Sequence, residues 1–116
     1  MTLIHPSPVP VLLSERLIDD MPWEPLPGSP GVRVKQICTN ASWATGLLQL
    51  TPGAHEATHV HTDSEHHLWV LAGSAQYEDT HLGVGSYLHV PAGLRHSFVD
   101  EGNGCTMFYV CSTPSE

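Results

Sequence analysis

Gly53-Ala54-His55-Glu56-Ala57-Thr58-His59-Val60-His61-Thr62-Asp63-Ser64-Glu65-His66 is the stretch whose reading decides the fold. Three of its imidazoles, at 59, 61 and 66, fall within eight residues, and His96 follows thirty residues after the last of them. Imidazole is the commonest protein ligand for a transition metal. On an extended strand, side chains two apart point to the same face, so His59-Val60-His61 presents two rings together. The spacing predicts a small β-barrel built around one metal ion.

The text on either side agrees. Val32, Val34 and Gln36 alternate with Arg33, Lys35 and Ile37, the period of a strand. A strand over 45–51 ends at the turn signal Pro52-Gly53, and one over 55–61 follows. Further strands are predicted over 66–71, 74–78, 86–90, 96–99 and 106–110, with Gly73 and Pro91-Ala92-Gly93 as punctuation. Strands at this spacing with turn residues between them belong to a sandwich or barrel. Four strands bring His59, His61, His66 and His96 to one point only if the sheet closes, and closure also removes exposed edges. No helix of three or more turns is expected.

Residues 1–30 read differently. Pro6, Pro8, Pro10, Pro22, Pro25, Pro27 and Pro30 rule out long helices there. An extended arm is expected, with a short helix or strand near 11–20, packing through Val11-Leu12-Leu13 and Trp23 on the barrel (31–116) or on a second subunit.

Bulk composition narrows the function. At 116 residues the chain is one domain, long enough for a core. A formal charge of −8, from 4 Lys plus Arg against 12 Asp plus Glu, argues against a nucleic-acid partner. No stretch reaches membrane-spanning length and no signal peptide is visible, so the expected setting is cytoplasmic and no membrane is involved. Cys38, Cys105 and Cys111 are odd in number and lack C-x-x-C spacing, which is not a disulfide framework.

With the glycines and prolines laid beside the histidines, a resemblance emerges. Gly53, five residues, His59, one residue, His61, four residues, His66, six residues, Gly73 resembles the first cupin motif. Gly85, five residues, Pro91, one residue, Gly93, two residues, His96 resembles the second. A looser likeness, through Trp23, Pro27 to Lys35 and Leu47 to Ala54, extends to ChrR-type cupin-like domains and to dihydroxyacetophenone and diketone dioxygenases. The resemblance implies an all-β double-stranded β-helix, or jelly-roll barrel, with His59, His61, His66 and His96 around one ion. His66 stands where most cupins carry Glu. A shorter spacing from His61 lands on Glu65 instead, and the two neighbours face opposite sides of a strand. Strand alternation favours His66, with Glu65 the alternative ligand.

Neutral nitrogen donors suit iron, zinc, nickel or copper better than magnesium or calcium. The dioxygenase resemblance implies Fe(II), with Zn, Ni, Cu or Mn as alternatives. Four protein ligands on an octahedral ion leave two positions, an open site fit for chemistry. Leu68, Val70, Gln76, Tyr87, Phe98, Met107 and Tyr109 are candidates to line the pocket. His67 neighbours His66 and should face away from it. His55 and His89 read as non-ligands, and His5 and His81 as surface.

The expected function is that of a metal-dependent dioxygenase cleaving a small ketone, diketone or phenolic substrate. The alternatives are a non-enzymatic metal or small-ligand sensor, or another cupin activity such as an isomerase or lyase, because a fold does not fix a chemistry. A homodimer is expected, with the arm or an edge strand at the interface.

Overall fold

The computed structural model describes residues 3–4, 10–54, 59–60 and 64–112, with the backbone alone at 3–4, 59–60 and 95–96. The elements in chain order are β1 (Leu3–Ile4), α1 (Glu15–Asp20), β2 (Glu24–Pro25), β3 (Val32–Thr39), β4 (Trp43–Leu50), β5 (His59–Val60), β6 (His66–Tyr77), β7 (Thr80–Leu82), β8 (Tyr87–Val90), β9 (Arg95–His96) and β10 (Phe98–Ser112). The main sheet runs β1-β3-β4-β10-β6-β7, with β2 on β3 and β8 on β6, while β5 and β9 form a second, two-stranded sheet. Apart from the parallel β1–β3 pair, every pairing is antiparallel. This is the all-β jelly roll that the cupin resemblance implies, and it fits the sandwich or barrel that the strand spacing predicts.

Two long strands replace four shorter ones expected from the sequence. Gly73 does not end its strand. It lies inside β6 at φ 73°, beside Gly104 of β10. The β6–β10 register shifts at the step from Thr106 to Met107, where Leu71 is the extra residue on β6. A second shift, between Asp100 and Cys105, holds Gly102 and Gly104 at positive φ. Each is a β-bulge that bends the strand and lets it continue. Glycine followed by a new apolar run looks like a turn in the sequence, whereas here the chain kinks and stays in the sheet. The hairpin strand β7 was missed because its turn is built on Glu78 and Asp79, with Glu78 at φ 51°.

The core is built from the inward side chains of the main sheet. Phe98, Leu50, Met107 and Val32 are its most deeply buried large side chains. Each contributes roughly 1.5–3 kcal/mol by leaving water. Leu48, Ala54, Leu68, Val70, Ala75, Leu82 and Cys105 complete the buried cluster, and Tyr77, Leu88 and Tyr109 are among the residues that pack against it. Burial pushes the Cys105 thiol up to about 11, helped by the carboxylates of Asp100 and Glu101, so it packs as a protonated, inert group. All three cysteines are free.

The outer face of β3 is covered from the N-terminal side. Ser14 caps α1, its hydroxyl accepting from the Leu17 amide at 3.3 Å. At the other end, Lys35 Nζ donates to the carbonyls of Ile18 (2.9 Å), which also accepts from the Met21 amide, and Asp19 (3.4 Å), a cation at the negative end of the helix. Lys35 is 5% exposed. Trp23 covers it, with Nζ 4.7 Å from the ring centre and Arg33 at 5.1 Å. Among the described residues no helix is long and apolar enough to cross a membrane.

Asp100 fastens the first motif to the bulge of β10. Its Oδ2 accepts from the amides of Gly53 and Gly102, both at 2.8 Å. Burial alone would raise its pKa. The backbone donors of Gly53, Gly102, Gly104 and Glu101 outweigh that and hold the carboxyl below the usual carboxylate range. A depressed folded-state value stabilises the fold above the unfolded-state value near 4, and that contribution is lost as pH falls through the folded value. Asp100→Asn is therefore expected to cost about 2 kcal/mol at neutral pH in urea denaturation. The difference from wild type should shrink below about pH 4. A constant difference down to pH 2 would refute this origin.

Candidate metal centre

The strand pairings decide which positions meet. His59 of β5 lies directly opposite His96 of β9. Residues opposed in an antiparallel pair share a face of the sheet. Two positions 37 apart in the sequence are thus brought together, one from each motif. His66 begins β6, with Val90 of β8 on one side and Cys111 of β10 on the other. Leu68 and Val70 follow it at the same phase and are buried, so this face of β6 is the interior. His66 Nε2 is shielded from solvent. His61 and His55 lie outside the described residues.

Glu65 sits on the other side. It is exposed, and its Oε2 is 3.0 Å from His89 Nε2. Strand alternation sends it outward once His66 is inward. Its backbone is tied to the end of β10: the Glu65 amide donates to Ser112 Oγ at 2.9 Å, and the Ser112 amide donates to the Glu65 carbonyl at 3.0 Å.

The expected lining residues divide. Leu68, Val70, Phe98 and Met107 are buried, and Tyr109 packs against the same cluster. Tyr109 is the register partner of Leu68, and burial pushes its hydroxyl up to about 12. Two expectations are corrected. Tyr87 is 48% exposed on the outer face, because Leu88 and Val90 take the inward phase of β8. Gln76 is also outward: the bulge at Leu71 shifts the phase of β6, so Ala75 turns in, and Gln76 Nε2 donates to the Glu78 carbonyl at 2.7 Å.

Sequence reasoning missed a second group of donors. Glu65, His67 and His89 place one ligand atom each within 4.8 Å of one another and form a group that could hold a metal ion. The sequence turns His67 away from His66 and places His89 on a strand outside the motif ligands, so neither reads as a donor. The signal available was their outward phase on two strands that pair.

Residues 16–114 match the ChrR Cupin-like domain family. The chain belongs to this family of cupins. No curated protein matches the sequence. Solved structures share the cupin fold. KdgF from Halomonas sp. superposes with a TM-score of 0.73 at 18% identity, over 84% of this chain and 90% of that one. The polyketide cyclase RemF from Streptomyces resistomycificus gives 0.77 at 19% identity, over 87% and 80%. In the complex of SigE with the anti-sigma ChrR from Rhodobacter sphaeroides the values are 0.67 and 25%, over 82% of this cupin and 50% of that chain. This cupin therefore spans about half of that chain's length.

Proposed function

We propose that this cupin is a mononuclear metal enzyme that cleaves a small ketone, diketone or phenolic substrate with dioxygen. The observation that carries the reading is the register that sets the position of His59 against that of His96, and His66 at the start of β6, in phase with the buried Leu68 and Val70, is read as joining them. His59, His61, His66 and His96 would hold the ion. A set of neutral imidazoles fits Fe(II) first, with zinc, nickel, copper and manganese as alternatives, and does not fit magnesium or calcium. When bound, the ion supplies Lewis acidity and open positions for an enolisable substrate and for dioxygen.

The chain's own residues do the rest. Leu68, Leu88 and Val90 build an apolar wall beside His66 that excludes water and favours a small, weakly polar substrate. Tyr109, with its hydroxyl near 12, keeps its proton throughout the neutral range and acts as a neutral wall group, not as a base. The free thiols of Cys38, Cys105 and Cys111 suit a reducing, cytoplasmic setting. A homodimer with the arm or an edge strand at the interface belongs to the same reading, and light scattering at twice the monomer mass tests it.

The likeness to anti-sigma ChrR favours a second reading, a metal- or ligand-binding module without catalysis. Oxygen consumption separates the two. Fe(II)-loaded protein is expected to take up oxygen with acetylacetone or a hydroxyacetophenone. No uptake with any of them, together with tight zinc binding, would establish the binding module instead.

A further inference from the structure

We propose that Glu65, His67 and His89 form a second divalent-metal site, on the outer face of the barrel and separate from the interior histidines. His67 and His89 are directly opposed on β6 and β8, both at the outward phase. Their rings stack at 4.6 Å between centres with planes 19° apart. Glu65 reaches both: its Oε2 is 3.0 Å from His89 Nε2, and its Oε1 is 4.0 Å from His67 Nε2.

The backbone beneath these donors is fixed on every side. Two strands of one sheet carry the histidines, and the double link to Ser112 holds Glu65. His67 Nδ1 lies 2.6 Å from the Tyr87 hydroxyl. With Nδ1 donating to that oxygen, Nε2 is left as the lone-pair nitrogen facing the carboxylate. A ligating histidine ordinarily has its other nitrogen held in this way. Trp69 packs on Tyr87 at 4.8 Å between ring centres and on Phe108 at 6.1 Å, so the supporting hydroxyl is itself braced.

The geometry suits zinc. Bonds of 2.0–2.1 Å in a tetrahedron set neighbouring donor atoms about 3.3 Å apart. The donors already lie within 4.8 Å of one another, so rotations of the side chains suffice, with the two rings tilting toward each other. Two neutral imidazoles and one carboxylate leave a net charge of +1 and a fourth position open to solvent. A simple ion pair would need only Glu65 and His89. The second imidazole, with its Nδ1 held by the Tyr87 hydroxyl, is what a metal site requires in addition.

Zinc titration of untagged, metal-stripped protein by calorimetry tests the assignment. Wild type is expected to bind two ions per chain. The His67→Ala/His89→Ala variant should bind one ion fewer while its circular dichroism and melting match those of the wild-type apoprotein. Tyr87→Phe should weaken the outer site about tenfold. Should the double alanine variant not fold, Glu65→Gln replaces it, and an affinity loss of tenfold or more is expected. The interior set is read separately with His59→Ala/His96→Ala, which should keep the outer ion. If wild type binds only one ion, its loss in the outer variant still supports the outer site. Unchanged stoichiometry and affinity in a folded outer variant, or binding lost only in the interior variant, overturns it.

Discussion

His96→Ala is expected to abolish oxygen uptake and to lower Fe(II) affinity by more than about a hundredfold. Removing a group that merely orients a ligand already costs ten- to a hundredfold, so removing the ligand itself must cost more. In the proposed set His96 is the one residue drawn from the second motif, and the register puts its position opposite that of His59. Its loss leaves three imidazoles and a gap on the side that β9 supplies. Because a ligand that binds only the folded state stabilises it in proportion to the logarithm of its saturation, the metal-induced rise in melting temperature offers a second readout. That rise should fall sharply in the variant at a fixed Fe(II) concentration. His66→Glu, which restores the usual cupin donor at this position, should retain the ion, whereas Glu65→Gln should leave the interior affinity unchanged. An interior site that survives His66→Ala but not Glu65→Gln would reverse the assignment of the fourth ligand.

Gly73→Ala should destabilise the protein by about 3 kcal/mol or more. Two costs add. Gly73 has φ 73°, where an L side chain costs about 1–2 kcal/mol. A methyl group there would also collide with the backbone carbonyl of Gly104, which is no flexible side chain and cannot swing away. Overpacking of this sort adds typically 1–3 kcal/mol. The control is Gly53→Ala, also at positive φ but with open space around the position, which should pay only the conformational cost. Urea midpoints for the two variants separate the contributions. Equal losses would show that the approach of β10 to β6 is not tight.

These two variants mark what the sequence makes legible and what it hides. The barrel and the phase of His66, Leu68 and Val70 follow from local alternation, and the pairing of two turn-bounded motifs follows from their spacing. The merging of strands at Gly73 and at Gly102–Gly104 does not, because a glycine that ends a strand and one that kinks it carry the same letter. Gln76 went astray for that reason, since one extra residue at Leu71 reverses the phase for everything after it. Tyr87 is outward although its ring is apolar enough to pass for core, because Leu88 and Val90 take the inward phase of β8. The cluster of Glu65, His67 and His89 depends on the lateral pairing of β6 with β8, which no local pattern specifies.

The arrangement around Trp23 has an electrostatic consequence. Of four basic side chains, Arg33 and Lys35 are folded under that indole, Arg33 tied to Gln49 Oε1 at 2.7 Å and Lys35 to carbonyls. Twelve carboxylates face little compensating positive charge outside. The long-range field around the molecule is accordingly negative, drawing small cations inward and turning anionic molecules away. Ion capture should quicken in dilute buffer and slow as added salt shortens the reach of that field, while neutral reactants would arrive at the same rate in either.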